Sequence, residues 1–362
     1  MTRGAAGDRP GSADCRRWGE RSSTLTFRTS WDECRFMSDT SHATARHSAV
    51  PFAAAMLMSA GVAVLLAGSC VPAAARVLSV GPHQVLKLPS QAAAVALDGD
   101  RIEIDPGSYA DCAVWHASRL TIEATGPGVV LAGRTCQGKA IFVTAGHDIV
   151  VRGVTFADAH VPDHNGAGIR AEGRNLTVER SRFLNNENGI LASGPSDSVV
   201  RVTDSAFRGN GACIGACAHG IYAGRPIALL DVERSRFADT HIGHHIKSRA
   251  RATRIIGNRI EDGAEGTSSY LIDVPNGGDL LIRDNDMQKG PRSDNPQCAI
   301  SIGEEGVTNV TETMIVANNR FRSDLPKPTV FVRNTTTVPV RMTGNHLTGQ
   351  VTPLTGVGTV RP

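Results

Sequence analysis

The sequence predicts an all-β fold, a right-handed parallel β-helix of about eight stacked coils. Two observations carry this reading. One strand unit recurs along the chain at irregular spacing, and a second unit follows each copy in the same register. Composition agrees: only 4% of residues are aromatic, 41% are hydrophobic and 38 are glycine, which suits short strands and tight turns better than packed helices.

The first unit is a β-rich run, a small polar residue, any residue, then a large apolar one. It occupies residues 151–156, 178–183, 202–207, 232–237, 255–260, 281–287, 315–321 and 340–347. Its apolar positions, from Phe156 to Leu347, are 23 to 34 residues apart, which excludes strict helical repeats and fits coils whose turns vary in length. Two residues before the apolar position stand Ser181, Ser205, Ser235, Asn258, Asn285, Asn319 and Asn345. Side chains of this type satisfy turn backbone groups and bond to their equivalents on the next coil. The second unit occupies 169–172, 190–193, 221–224, 246–249, 272–275, 300–303 and 330–333. Its first and third positions are apolar or small, the mark of a strand with one face in the core.

The Ser/Asn series resembles the asparagine ladder of the pectate-lyase-like superfamily of right-handed parallel β-helix proteins, over roughly residues 95–350. The resemblance implies the fold, and an extended polysaccharide lying along one face. Family-specific motifs are absent. There is no close Asp pair of the polygalacturonase type, no Trp-Ile-Asp-His run of classical pectate lyases, and no Asp-Pro-His of mannuronan epimerases.

Ahead of the repeats, Arg46 and His47 precede an apolar run at 49–68, and Ala73, Ala74 and Ala75 supply the small residues of a signal-peptidase site. Residues 37–75 therefore read as a cleaved signal peptide beginning at Met37. Residues 1–36, polar and aperiodic, read as an extension outside the native or ordered protein. Residues 76–362 read as one solenoid domain. An uncleaved membrane anchor is the alternative for the apolar run, but small residues follow it where flanking charges are expected. The expected location is periplasmic or secreted, with no membrane contact after cleavage. A net charge of +3 spread along the chain does not point to nucleic acid, and a monomer is expected.

Export favours disulfides over thiolate metal sites. Cys112 and Cys136, 24 residues apart, can face each other on neighbouring coils, and Cys213 and Cys217 can close a small loop. Cys298 is left as a buried apolar residue. A zinc site from Cys213, Cys217 and His219 is the alternative reading of that loop.

With the register set, the outward column runs Arg170, Leu191, Tyr222, Lys247, Asp273, Ser301 and Phe331, with coils ~4.8 Å apart. Lys247 and Asp273 are therefore expected as neighbours, with Tyr222 one coil away and Arg249 on the same strand as Lys247. Two residues before the strand starts, His219, His244 and Tyr270 fall on successive coils. The segment 243–250, with His244, His245, Lys247 and Arg249, suits recognition of an anion with proton transfer; a solvated basic strand is the plain alternative. The catalytic candidates are Lys247, His244, Arg249, His219, Tyr270 and Asp273. Tyr222, His245, Arg170 and Asn276 are the substrate-binding candidates. Asp273, Glu304 and Glu305 are the acids available to a Ca2+ ion, the one cofactor considered.

These expectations describe a lyase acting by β-elimination on an acidic polysaccharide containing uronic acid. The competing readings are a C5-epimerase using the same proton abstraction, a carbohydrate-binding or cell-surface protein without catalysis, and a periplasmic metal-delivery protein. The last lacks the Met-rich motifs it would need.

Overall fold

The computed structural model describes residues 75–362. The extension over 1–36 and the signal peptide over 37–75 lie outside the described residues, save Ala75. The described chain is the expected right-handed parallel β-helix, with about 11 turns. Three sheets run its length, one of 12 strands and two of 10, and neighbouring strands within each are parallel.

Eight coils was therefore an undercount, and the difference lies at the ends. In the first sheet Val77–Val80, Arg101–Ile104 and Thr121–Ala124 precede the first recurring unit, and Gly358–Arg361 follows the last. The N-terminal coils turn through Pro106 and Pro127 without a Ser or Asn, so the signature is missing. Tyr109 and Leu131 still fill the core there. The helix Pro89–Val95, with Pro89 and Ala92 buried, packs on the first strands of two sheets and covers that end of the core.

The corner between the first and third sheets explains the ladder. The chain turns through one left-handed residue: Arg180 (φ 47°), Asp204 (φ 51°), Arg234 (φ 47°), Asp284 (φ 60°) and Asn318 (φ 54°), with Gly257 and Gly344 in the same place. The next residue points inward and bonds to the coil before it. Ser205 Oγ accepts from Ser181 N (3.1 Å), Ser235 Oγ from Ser205 N (3.1 Å) and Asn258 Oδ1 from Ser235 N (2.8 Å). Asn285 Oδ1 accepts from both Asn258 N (2.9 Å) and Asn258 Nδ2 (3.0 Å), while Asn285 Nδ2 donates to Ile255 O (2.9 Å). A second ladder, unseen in the sequence, stands at the next corner: Asn210 Oδ1 accepts from Asn186 N (3.1 Å), and Asn186 Oδ1 from Ala159 N (3.0 Å). Asn285→Ala strands several buried partners, so equilibrium urea unfolding should show a loss of about 1–3 kcal/mol. A change of a few tenths would mean that the ladder only accompanies the turn.

Inside the coils the apolar positions stack. Phe156 and Phe183 lie 5.3 Å apart by ring centroids, Phe183 and Phe207 4.6 Å, and Phe207 and Phe237 4.6 Å. The second sheet departs from strict alternation to meet them. In each of its longer strands two consecutive residues face the core: Leu271 with Ile272, Ala299 with Ile300, and Phe331 with Val332. Opposite the phenylalanines the first of these is glycine. A Cβ on Gly189 would stand 2.4 Å from Gly220 O and 2.7 Å from Phe207 Cδ1.

Phe331 is consequently a core residue, stacked on Phe321 at 5.0 Å. The expected outward column is corrected there: Val332 pairs with Ile300, and Arg333, the partner of Ser301, takes the outward place.

Cys112 and Cys136 form a disulfide with Cα atoms 5.5 Å apart. Cys213 and Cys217 pair across the hairpin of Ala212–Ile214 and Ala216–Ala218. That bond removes the thiolates a zinc site would need. Cys298 is a buried free thiol, and burial pushes its pKa up to about 12.

Candidate functional site

The phase switch in the second sheet sets two outward columns side by side. Strict alternation from Ile246 would turn His244 into the core; the doubled inward pair His245 and Ile246 returns it to the outer face. Along one column His219 stacks on His244 (4.9 Å, 8°) and His244 on Tyr270 (5.2 Å, 8°). Along the other, Tyr222 pairs with Lys247, and Lys247 with Asp273.

The stacked rings also carry backbone hydrogen bonds. His219 N donates to Asn188 Oδ1 (2.8 Å), His244 N to His219 Nδ1 (3.1 Å) and Tyr270 N to His244 Nδ1 (3.1 Å). A ring nitrogen that accepts such a bond carries no proton, so the hydrogen of each imidazole sits on Nε2. His244 Nε2 lies 3.3 Å from Asp273 Oδ2. Burial, then the charges of Lys247 and Arg249, hold the His219 pKa well below the usual range. Burial and the neighbouring His219 and Lys247 do the same to His244. Both rings are neutral and fixed, a poor state for a general base and a good one for orienting a carboxylate.

The charged cluster lies beside them. Lys247 Nζ is 2.9 Å from Asp273 Oδ2 and 2.6 Å from Glu305 Oε1. Arg249 donates from Nε to Tyr222 Oη (2.9 Å), from Nη1 to Asn276 Oδ1 (2.7 Å) and from Nη2 to Glu305 Oε2. Burial works against the Lys247 charge, but Asp273 and Glu305 outweigh it and raise its pKa above the ordinary lysine value. Burial pushes the Asp273 pKa up to about 6 against the pull of Lys247. Glu305 is also partly desolvated, yet Lys247 and Arg249 hold it below the usual carboxylate range. Tyr270 donates to Glu304 Oε2 (2.7 Å), and burial with that bond raises its pKa above the ordinary phenol value.

Two buried atoms at the cluster have no hydrogen-bond partner: Asp273 Oδ1 and Ser301 Oγ. They belong to paired residues on neighbouring coils. Buried polar atoms are rarely left so.

His219, Tyr222, His244, Lys247, Arg249, Tyr270 and Asp273 thus share one outward face, but it is not the open patch expected. The Lys247 and Asp273 side chains are 10% and 4% exposed, because the segment 303–306 folds over them. Asn276 is buried and holds Arg249, and its Nδ2 donates to Gly306 O (2.9 Å), so it shapes the site from behind.

Three assignments change. Arg170 lies three coils from Lys247 with Leu191 and Tyr222 between, on an apolar stretch of the face. His245, fully buried, points to the interior: its Nε2 bonds Asp262 Oδ1 (2.9 Å) and its Nδ1 bonds Thr240 Oγ1 (2.7 Å). Asp262 also accepts from Ser268 Oγ and from Gly290 N (2.9 Å), with Lys289 in the same interior cluster. His245 therefore cannot touch a ligand on the face. Asp273, Glu304 and Glu305 do not converge as Ca2+ ligands: Asp273 and Glu305 share Lys247, while Glu304 holds Tyr270 and Arg333 (2.6 Å). Among the described residues no group of His, Cys, Asp or Glu has the arrangement of a metal site. Ser301, and Glu305 as a partner of Lys247 and Arg249, were missed by sequence reading. Ser301 was visible in the outward column; Glu305 reaches Lys247 across 58 residues through a turn of no fixed period.

No family model and no curated protein matches this chain. Among solved structures it is similar to an alginate lyase from Paenibacillus sp. str. FPU-7, at 15% identity and a TM-score of 0.43 over 74% of this chain and 95% of that one. A family 28 exopolygalacturonase from Yersinia enterocolitica gives 11% identity and a TM-score of 0.45, over 79% and 78%. The A-module of the mannuronan C-5 epimerase AlgE4 from Azotobacter vinelandii gives 12% and 0.39, over 75% and 93%. Identities this low say nothing about the side chains gathered around Lys247 and Asp273.

Proposed function

We propose that the protein acts outside the cytoplasm on a uronic-acid-containing polysaccharide and cleaves it by β-elimination. The observation that carries this reading is Asp273 Oδ1, a buried carboxylate oxygen without a partner, beside a lysine and an arginine. Such a reaction needs a cation for the substrate carboxylate, a base for the proton on the adjacent carbon, and an acid for the leaving oxygen. Arg249, aimed by Tyr222 and Asn276, supplies the first together with one N–H of Lys247. Asp273, its other oxygen bound by Lys247, takes the carbon-bound proton on Oδ1. The electron pair of that C–H bond becomes the new double bond as the glycosidic C–O bond breaks. Lys247, protonated at neutral pH, gives its proton to the departing oxygen. Water then takes the proton from Asp273 and gives one to Lys247, which restores the ion pair and the site. The Cys112–Cys136 disulfide supports an oxidising compartment.

Incubation with a panel of uronate polymers, read by the ultraviolet absorbance of the unsaturated chain end, tests the reading. Absence of that product from every polymer overturns cleavage. Exchange of the C5 proton for deuterium without chain scission would identify an epimerase instead. Binding without either would leave a carbohydrate-binding protein, a reading favoured by how little of Lys247 and Asp273 reaches solvent. The pH profile is an independent check. The base form of Asp273 exists above its pKa of about 6, so kcat/KM should climb through that pH and fall off below it. A flat profile between pH 5 and 7 would remove Asp273 from the role.

A further inference from the structure

The cluster already holds a carboxylate. Glu305 presents Oε1 to Lys247 and Oε2 to Arg249, one oxygen to each cation. We propose that Glu305 is an internal occupant of a carboxylate subsite, displaced when a carboxylate of the ligand takes Lys247 and Arg249. This deepens the reading above and rests on it for the kind of ligand.

Three features support exchange over permanent closure. First, neither cation depends on Glu305 for its position. Lys247 keeps Asp273, and Arg249 keeps Tyr222 and Asn276, so the fork survives when Glu305 leaves. Second, charge is balanced only with one carboxylate added to Asp273. Lys247 and Arg249 carry two positive charges against those of Asp273 and Glu305, and a second incoming carboxylate would leave a buried excess of negative charge. Third, the Glu305 side chain is 42% exposed, whereas those of Lys247 and Arg249 are 10% and 15%. It can swing outward while its backbone stays. Glu305 N donates to Pro275 O (3.1 Å), Gly306 N to Gly303 O (3.2 Å), and Asn276 Nδ2 holds Gly306 O. The turn is bracketed by Gly303 and Gly306 at φ 86° and 87°, so its path does not rely on the two glutamates. The moving part is one side chain.

The test is titration of galacturonate, glucuronate and mannuronate, each beside its neutral methyl ester, followed by NMR on the full chain. Glu305→Gln keeps the shape and loses the charge; Glu305→Ala removes the group. Both should bind at least one of the acids about tenfold to a hundredfold more tightly than the parent, the worth of a charge-assisted pair no longer competed for. The methyl esters should show no such gain, and adding Arg249→Gln to Glu305→Ala, which strands no buried charge, should abolish it. Equal affinity for every acid in parent and both variants overturns the inference, as does an equal gain for the esters, which would mean that only space was opened. The outcome is separable from the reaction: tighter acid binding with no unsaturated product from any polymer keeps the subsite and discards the elimination.

Discussion

Asp273→Asn should lower turnover on the cleaved polymer by about 10²–10⁴, the usual contribution of a positioned general base. The substitution is chosen because it preserves shape. An amide oxygen at the Oδ2 position still accepts from Lys247, and Lys247 keeps the negative charge of Glu305 at 2.6 Å. The fold should therefore survive, and the loss should fall on kcat with KM little changed, since Arg249 still meets the substrate carboxylate. The pH limb near 6 should vanish with the carboxylate. Full turnover in this variant would end the assignment of Asp273, whatever the polymer. Lys247→Ala is a less clean probe. It strands Asp273, whose side chain is buried, without its counter-charge, and removing one partner of a buried pair destabilises by about 3–5 kcal/mol on its own.

The largest stability effect is expected inside the coils. Asp262 is fully buried at the corner leading into the second sheet. One oxygen takes His245 and Ser268 and the other Gly290 N, while Lys289, also fully buried, donates to Ser269 O (2.6 Å) nearby. Asp262→Ala leaves an imidazole, a hydroxyl and the Gly290 amide unpaired together and removes the charge that balances Lys289, so chemical denaturation should report a loss of about 3–5 kcal/mol. A loss below about 1 kcal/mol would mean that water replaces the carboxylate. Lys289 gives the same network a pH signature. Burial holds its pKa down to about 8, against the pull of Asp262, where an unfolded lysine stands near 10.5. Between those values the unfolded chain binds more protons than the folded one, so this group makes stability rise with pH across that window. Lys289→Met should flatten the rise.

Which features were readable from the sequence follows from the range of the interaction. The Ser181 to Asn345 series was legible because each coil repeats the same corner, and a corner is a local device. The contact between Lys247 and Asp273 was legible too, since it follows once the strands are in register and coil spacing is fixed. The doubled inward pair was not. Leu271 and Ile272 are both apolar, and an apolar pair looks the same whichever of them starts the alternation. His245 was misplaced for that reason, and so was Phe331, whose expected place beside Ser301 belongs to Arg333, two residues on. The closure of the face was illegible on other grounds: Glu305 stands in a turn whose course is set by its own glycines and by Asn276, with no counterpart on neighbouring coils.

The stacked rings carry one more consequence. Asn188, His219 and His244 each offer an acceptor atom to the backbone of the next coil, and Tyr270, whose phenol offers none at that reach, ends the series. The coils at the site are thus fastened outside as well as inside, by groups that must stay unprotonated to hold. That limits what can stand at these positions to side chains such as Asn and neutral His, with an oxygen or nitrogen lone pair close to the main chain. A lysine or arginine there would have a donor where the next coil needs an acceptor. The positive charge beside Asp273 is therefore confined to the Lys247 column, and the two columns divide the labour, one holding the coils in line and the other free to carry charge.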